Sequence, residues 1–160
     1  MEIVLRGYRE TDLETLFQID EACFAAEFRF DRESMRHFVG HRRAVVVVAE
    51  VESTGEIVGF VIVHLEGSGR AMGGYVVTLD VSEQWRRSGL AGRLMGEAEE
   101  QARESGAIWM GLHVFVENEG AIRFYERIGY VRGERVAGFY SGIAAGAKRM
   151  DAWVYRKWIG

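Results

Sequence analysis

The stretch WRRSGLAGRL, residues 85–94, follows a run with strand character and opens a run with helical spacing. It sets two consecutive arginines before the small residues Gly89, Ala91 and Gly92. Small residues at a helix start lower helix stability, so a gain elsewhere is expected. The first N–H groups of a helix have no partners within it, and with the helix dipole they attract phosphate. The stretch therefore predicts a phosphate-binding turn. A glycine-rich connection with two solvated arginines is the alternative.

The composition is that of an ordinary globular chain. With 160 residues, 48% of them hydrophobic and 28% charged, the sequence favours one domain over residues 1–160. Its net charge of −4 argues against a broad nucleic-acid-binding face. The single cysteine, Cys23, excludes an internal disulfide and a cysteine metal cluster, and it is typical of a reducing compartment, so a cytoplasmic location is expected. No signal peptide or membrane span is expected, because the longest apolar runs have about six residues.

Hydrophobic spacing predicts the element order β-α-α-β-β-β-α-β-α-β-β. Thr11 and Glu14 predict a capping box for the first helix, and Asp31 and Asn118 predict caps for two later helices. Two β-rich runs within residues 43–66 predict a hairpin. We therefore expect an α/β fold with a mixed, mostly antiparallel sheet and one strand–helix–strand crossover.

A second segment, HVFVENEGAIRFYERIGYV at residues 113–131, carries a signature of its own. Five of its residues fit the spacing N-x-x-A-x-x-x-Y-x-x-x-G-F/Y: Asn118, Ala121, Tyr125, Gly129 and Tyr130. In the opening stretch, Arg86, Gly89 and Ala91 fit the spacing R/Q-x-x-G-x-G/A. With both motifs, the sequence over residues 3–157 resembles the GNAT acetyltransferase superfamily. That resemblance implies a central sheet of about six or seven strands with about four helices, in which strands 4 and 5 splay apart.

The resemblance also implies acetyl-CoA as the co-substrate, with no metal. It implies that the pyrophosphate lies on the backbone of the phosphate turn and that the pantetheine arm pairs with the splayed edge of the fourth strand. The implied cofactor-binding residues are Leu79, Asp80, Val81, Arg86, Arg87, Ser88, Gly89, Leu90, Ala91, Gly92, Asn118 and Tyr125. In the alternative interpretation Asn118 only caps its helix, Asp80 is a surface residue and Leu79 belongs to the core.

Acetyl transfer needs a base for the amine proton and an acid for the departing thiolate. Tyr125 matches the position that the family uses for the acid, with an aromatic core residue as the alternative. Tyr75 and His113 resemble a pair in protein N-α-acetyltransferases, of the RimI type and the NatE catalytic subunit type, that holds a water relaying the amine proton. RimI-type enzymes usually carry Glu where His113 stands. An imidazole near pKa ~6.5 suits an α-amine near ~8 better than a lysine amine near ~10.4.

The acceptor is less well defined by the sequence. Phe28, Tyr75 and Tyr140 are the expected acceptor contacts, although the loop CFAAEFRFD at residues 23–31 lacks the usual proline and Phe139 precedes Tyr140 where a second tyrosine is usual. The leading hypothesis is an acetyl-CoA-dependent N-acetyltransferase acting on a protein or peptide N-terminus. The alternatives are a small-molecule amine or lysine as acceptor, and a non-catalytic acyl-CoA-binding module.

Three further expectations concern surfaces and partners. The acidic residues of the first helices are expected to form a solvated face, with attraction of a cationic acceptor as the alternative: Glu14, Asp20, Glu21 and Glu27. Residues 142–148 are expected to form a mobile loop. The expected partners are acetyl-CoA, the amine acceptor and a second copy of the chain in a homodimer, with Trp153 and Trp158 as interface candidates. The four histidines show no metal-ligand spacing.

Overall fold

The protein is described by a computed structural model over residues 2–140 and 150–160. In these residues seven strands form one sheet in the order β1-β2-β3-β4-β5-β7-β6. The strands are β1 (Ile3–Gly7), β2 (Ala44–Val51), β3 (Ile57–Glu66), β4 (Gly73–Val81), β5 (Trp109–Phe115), β6 (Val131–Val136) and β7 (Ala152–Trp158). The helices are α1 (Leu13–Cys23), α2 (Arg32–Gly40), α3 (Leu90–Glu104) and α4 (Glu119–Arg127). The predicted α/β class and element order are confirmed.

The sheet divides at the boundary between β4 and β5. Every other neighbouring pair of strands is antiparallel, whereas β4 and β5 run parallel. Their pairing extends only from Gly73–Tyr75 to Trp109–Gly111. Beyond Tyr75 the two strands diverge, so the β4 edge that faces β5 has no strand partner there. The predicted splay of strands 4 and 5 is confirmed.

Helices cover both faces of the sheet and separate two cores. On one face α3 packs through Leu94 against Val61 and Met110 of the sheet. On the other face α1 and α2 pack through Leu16 and Met35 around a second core. Because side chains alternate along a strand, β2, β3 and β4 each supply residues to both cores. Residues on the α1–α2 face near the splay are thus held between two packed layers.

The start of the first helix differs from the prediction. A short 3-10 turn, Glu10–Asp12, precedes α1, and no side chain caps that helix. Asp12 instead accepts a hydrogen bond from the backbone N–H of Arg9 and forms an ion pair with Arg6 at 2.8 Å. The predicted Thr11 capping box is therefore wrong, because the ion pair between Asp12 and Arg6 holds this segment in a 3-10 turn that precedes α1.

The other two predicted caps are confirmed. Asp31 accepts from the Ser34 N–H at 2.7 Å, and Asn118 accepts from the Ala121 N–H at 3.2 Å. The last two strands are antiparallel as predicted. However, β6 stops at Val136, since a left-handed turn at Gly138 with φ of 64° follows. The loop expected at 142–148 lies outside the described residues.

Candidate active site

The phosphate turn, residues 86–92, leads into the N-terminus of α3. Arg87 and Gly89 adopt left-handed backbone conformations with φ of 62° and 85°, and Gly89 is the N-cap. No side chain caps this helix, so its first N–H groups are left for an external acceptor. A Cβ built on Gly89 or Gly92 meets no atom within 4 Å. These open, unpaired N–H groups fit an anion such as pyrophosphate.

The two arginines of the turn have different surroundings. Arg86 Nε donates to the Val81 carbonyl at 3.2 Å, and Cys23 Sγ donates to the same oxygen at 3.3 Å. Arg86 therefore ties the turn to the end of β4, a role that the sequence did not indicate. Arg87 is exposed and forms no ion pair within the described residues, so its charge is available to a ligand.

The predicted pantetheine edge lies in the diverging half of β4. Leu79 packs against the core on the α3 face, as the alternative interpretation expected. Asp80 is only 1% exposed, so its interpretation as a surface residue is wrong. Burial, together with the neighbouring Asp20 carboxylate, raises the pKa of Asp80 well above its ordinary value. Because the side chains of Leu79 and Val81 pack into the core, these residues can offer only backbone groups to a ligand in the gap between β4 and β5.

Two predicted cofactor-binding residues, Asn118 and Tyr125, lie at the start of α4 and within it, after β5 in the sequence. The Asn118 oxygen caps α4, while its side-chain N–H₂ group donates to no partner in the described part of the chain. The Tyr125 hydroxyl likewise forms no hydrogen bond within 2–140 and 150–160. Burial raises the pKa of Tyr125, and the nearby Asp80 and Tyr140 groups raise it further. Tyr125 therefore holds its proton at neutral pH, as an acid must before it donates.

Tyr75 and His113 meet on the α1–α2 face, where β4 and β5 begin to diverge. Tyr75 Oη lies 2.8 Å from His113 Nδ1. Burial, then the Glu66 charge, raises the pKa of Tyr75 to about 12. Burial lowers the pKa of His113. At neutral pH both groups are therefore uncharged, with the imidazole ready to accept a proton.

An aromatic wall, formed by Phe28, Phe115, Phe139 and Tyr140, borders this pair. Phe139 stacks on the His113 ring with centroids 3.9 Å apart, and Phe28 packs edge-on to Tyr140 at 5.0 Å. The structure thus brings the expected acceptor residues Phe28 and Tyr140 beside the expected base. Phe115 was missed by the sequence analysis, although its i, i+2 spacing from His113 puts both on one strand face.

An ion pair on β6 and β7 that acts on the imidazole of His113 was also missed by the sequence analysis. Arg156 on β7 pairs with Glu134 on β6 at 2.8 Å. The Arg156 charge adds to burial in lowering the His113 pKa, while the Glu134 charge opposes it. Because the two residues are 22 positions apart in the chain, no local pattern could have joined them to His113.

The expectation of a solvated acidic face fails for one residue. Glu14 is exposed and pairs with Arg32 at 2.8 Å, whereas Asp20 is fully buried beneath the sheet.

Among the described residues no group of three His, Cys, Asp or Glu side chains is arranged to hold a metal ion. Trp158 is 57% exposed, and its ring packs edge-on to Trp109. No helix in the described ranges is long and apolar enough to cross a membrane.

The comparison with protein families agrees with this geometry. The sequence profile of the acetyltransferase (GNAT) family matches residues 12–130, and the chain belongs to that family. Arabidopsis thaliana NAA60 in complex with acetyl-CoA superposes with a TM-score of 0.83 at 26% identity, covering 98% of this chain and 99% of that one.

Several curated proteins and solved structures are similar to the chain. It is 34% identical over 87 residues to the N-terminal acetyltransferase B complex catalytic subunit NAA20 of Arabidopsis thaliana, covering 54% of this chain and 50% of that protein. It is 32% identical to naa20 of Schizosaccharomyces pombe, covering 61% of this chain and 55% of that protein. The chain thus spans about half the length of these relatives.

Structural similarity extends over nearly the whole chain. Arabidopsis thaliana NAA60 in complex with a bisubstrate analogue superposes with a TM-score of 0.84 at 26% identity, covering 98% of each chain. The ribosomal-protein-S18-alanine N-acetyltransferase of Escherichia coli superposes with a TM-score of 0.84 at 18% identity, covering 99% of this chain and 95% of that one. The second likeness supports the fold alone.

Proposed function

We propose that this enzyme acetylates the α-amine at the N-terminus of a protein or peptide. The observation that carries the proposal is the 2.8 Å contact between Tyr75 and His113 beside the aromatic wall. This contact supports a role for His113 as a neutral base beside a surface suited to an acceptor side chain. The names of the curated relatives, which are N-terminal acetyltransferases, support the same acceptor class.

His113 is the proposed base, and its tautomer decides whether it can act. If Nδ1–H donates to Tyr75 Oη, Nε2 carries the free lone pair. Nε2 has no hydrogen-bond partner among the described residues, so a water held there can pass the amine proton to it. Tyr75 therefore has two tasks, which are to fix the tautomer and to help hold the water. Phe139 holds the ring from one face.

Tyr125 is the proposed acid. Acetyl-CoA supplies the thioester carbonyl that the neutral amine attacks, and the sulfur leaves as a thiolate. Since burial keeps Tyr125 protonated, its hydroxyl can donate to that sulfur once negative charge develops there. Tyr125 packs against the same core as Leu79 of β4, which supports a position near the strand edge where the pantetheine arm is proposed to lie.

The cofactor is proposed to lie along the gap between β4 and β5. The N–H groups of Leu90 to Gly92 and the charge of Arg87 would bind pyrophosphate. The free edge of β4 at Leu79–Val81 would pair with the pantetheine amides, and the free N–H₂ of Asn118 would donate to the same arm. Ser88 and Arg86 shape the turn, because Ser88 donates to the Trp85 carbonyl and Arg86 to that of Val81.

Two features favour an α-amine over a lysine amine. A base whose pKa is lowered matches an amine near ~8 better than one near ~10.4. The aromatic wall offers apolar contact to the first side chain of the acceptor, so peptides that begin with an apolar residue are the proposed preferred substrates. A buried aromatic contact of this kind favours such side chains by about 1 to 2 kcal/mol.

The test is release of free CoA across one matched panel. It holds peptides that differ in their first two residues, the same peptides with blocked N-termini and an internal lysine, polyamines and aminoglycosides. We expect turnover confined to free N-termini. Turnover on polyamines or aminoglycosides alone would overturn the acceptor proposal, and bound acetyl-CoA without any turnover would favour a non-catalytic module.

Two further proposals concern the setting of the enzyme. The single cysteine, half-buried at the end of α1, is compatible with a cytoplasmic location, which fractionation of the native host would test. The homodimer expected from the sequence stays a prediction. Sedimentation of the protein with Trp158 changed to Lys tests whether that exposed side chain lies in an interface.

A further inference from the structure

Two carboxyl groups lie buried between α1 and β4, outside the catalytic pair. Asp20 of α1 has no exposed surface, and Asp80 of β4 is 1% exposed. The two carboxyl groups shift each other's pKa, as neighbouring groups do. Two neighbouring carboxyl groups can share a hydrogen bond only if one of them keeps its proton.

The other contacts of the pair leave one oxygen on each residue for this bond. Asp80 Oδ1 accepts from the Thr78 hydroxyl, and Asp20 Oδ2 accepts from the Phe30 N–H at 3.0 Å. The remaining oxygens, Asp20 Oδ1 and Asp80 Oδ2, are buried and receive no hydrogen bond from a donor within the described residues. A single proton between them satisfies both oxygens.

The charged and titratable groups around the pair come from several elements. On α1, Glu21 acts on Asp20, and Cys23 experiences the Asp80 charge. Arg29 from the loop after α1 acts on Asp20, and Arg86 from the phosphate turn acts on Asp80. On α4, Tyr125 experiences the Asp80 charge. Despite the two arginines, desolvation dominates at both carboxyl groups and raises both pKa values.

The bond to Phe30 connects the pair to the acceptor side of the site. We name residues 24–31, between α1 and α2, the acceptor loop. Its Phe28 belongs to the aromatic wall through contacts with Tyr140 and Phe115. Its end is fixed by the Phe30 N–H on Asp20 and by packing of the Phe30 ring on Phe38. We name β4 the acetyl-CoA strand, since the pantetheine arm is proposed to pair with its free edge. A continuous path therefore runs from Asp80 on the acetyl-CoA strand through Asp20 to the acceptor loop.

We propose that Asp20 and Asp80 share one proton and act as positioning residues, holding the acceptor loop in register with the acetyl-CoA strand. The proposal rests on the acceptor site proposed above. Loss of the shared proton would place two negative charges side by side in a buried site. Relief of that repulsion would displace α1 and the acceptor loop, whereas β4 stays anchored by its pairing with β3.

The proton itself is tested by infrared spectroscopy of the intact protein at neutral pH. The carbonyl band of a protonated carboxyl group is expected in the wild type and absent in Asp80→Asn. Ordinary carboxyl groups are ionised at this pH and do not contribute. A wild-type spectrum without that band would overturn the proposal, and this readout does not depend on any acceptor.

The positioning role is tested by comparing Asp80→Asn with Asp80→Ala. The asparagine amide still donates to Asp20, so the hydrogen-exchange protection of the Phe30 amide should stay within about threefold of wild type. In Asp80→Ala the Asp20 Oδ1 oxygen stays buried without a donor, and protection of the Phe30 amide should fall at least about tenfold. The KM for the peptide acceptor should rise at least about fivefold in Asp80→Ala and stay within about twofold of wild type in Asp80→Asn.

The two variants separate this proposal from the proposed function. If Asp80→Asn lost as much Phe30 protection as Asp80→Ala, or if Asp80→Ala kept wild-type protection, the positioning role would be refuted. If the enzyme accepted only small amines, the proposed acceptor would fail while the infrared and exchange results would still stand. Thermal unfolding midpoints of both variants establish that each is folded.

Discussion

Removing Tyr75 and His113 separately and together tests whether the two residues act as one unit. Loss of a general base costs about 10²- to 10³-fold in kcat/KM, which is about 2.7 to 4 kcal/mol, so this is the expected cost of His113→Ala. Tyr75→Phe removes one hydrogen bond of 2.8 Å between partly buried groups. Such a bond is worth about 1 to 1.5 kcal/mol, which is about tenfold in rate.

If Tyr75 acts through His113, its loss costs nothing further once the imidazole is gone. The double variant should therefore match His113→Ala within about threefold, which corresponds to a coupling energy of about 1 to 1.5 kcal/mol between the two residues. Independent roles would instead make the costs add, so that the double variant would fall about tenfold below His113→Ala.

The assay is kcat/KM for a free-N-terminus peptide at saturating acetyl-CoA, followed by thiol release. His37→Ala is the control, because His37 is exposed on α2 and its side chain forms no hydrogen bond or ion pair within the described residues. It should leave kcat/KM within about threefold. Additive costs, or more than a third of wild-type activity in His113→Ala, would refute the assignment of a joint base.

Three further predictions follow from the charges and the backbone around the site. Arg156→Gln should move the acid limb of the kcat/KM profile to higher pH and Glu134→Gln to lower pH, because Arg156 disfavours and Glu134 favours the charged form of His113; equal shifts in one direction would contradict this. Gly92→Glu should raise the thermal unfolding midpoint, because better helix propensity and a charge near the helix N-terminus add about 0.5 to 1 kcal/mol of stability. The same variant should bind acetyl-CoA at least about tenfold more weakly in calorimetry. Unchanged binding would contradict the proposal that the pyrophosphate binds at this turn. The folded protein keeps the Asp80 proton in a pH range where the unfolded chain has lost it. The free energy of unfolding should therefore fall as pH rises above about 4, by up to about 1.4 kcal/mol per pH unit. In urea unfolding, the free energy of Asp80→Asn should depend less steeply on pH than that of the wild type.

Local patterns predicted those parts of the site that are built from neighbouring residues. Gly89 and the small residues after it predict a helix start without a side-chain cap, and Asn118 predicts a capped one. Both kinds of helix start depend on residues within a single turn. Tyr75 and His113 could be paired only through the resemblance to N-α-acetyltransferases, because the residue in register with Tyr75 is Gly111, two positions before His113. The contact is then fixed by the short parallel pairing of β4 and β5.

Long-range electrostatics could not be predicted in this way. The Arg6–Asp12 pair displaced the expected Thr11 cap, because an ion pair across the turn outweighs a hydroxyl cap. Asp20 was expected in water, although its i+4 spacing from Leu16 places it on the buried stripe of α1. Its partner Asp80 is 60 residues away in the chain, and only the folded sheet brings the two carboxyl groups together.

The central claim is that the acceptor is an N-terminal α-amine, and one peptide can test it. The peptide carries a free N-terminus with an apolar first residue and one internal lysine, and tandem mass spectrometry locates the acetyl group after partial turnover. The account predicts acetylation of the α-amine with the lysine unmodified, at a rate that falls with His113→Ala. Acetylation of the lysine at a comparable rate, or of neither amine while a polyamine is acetylated, would contradict it.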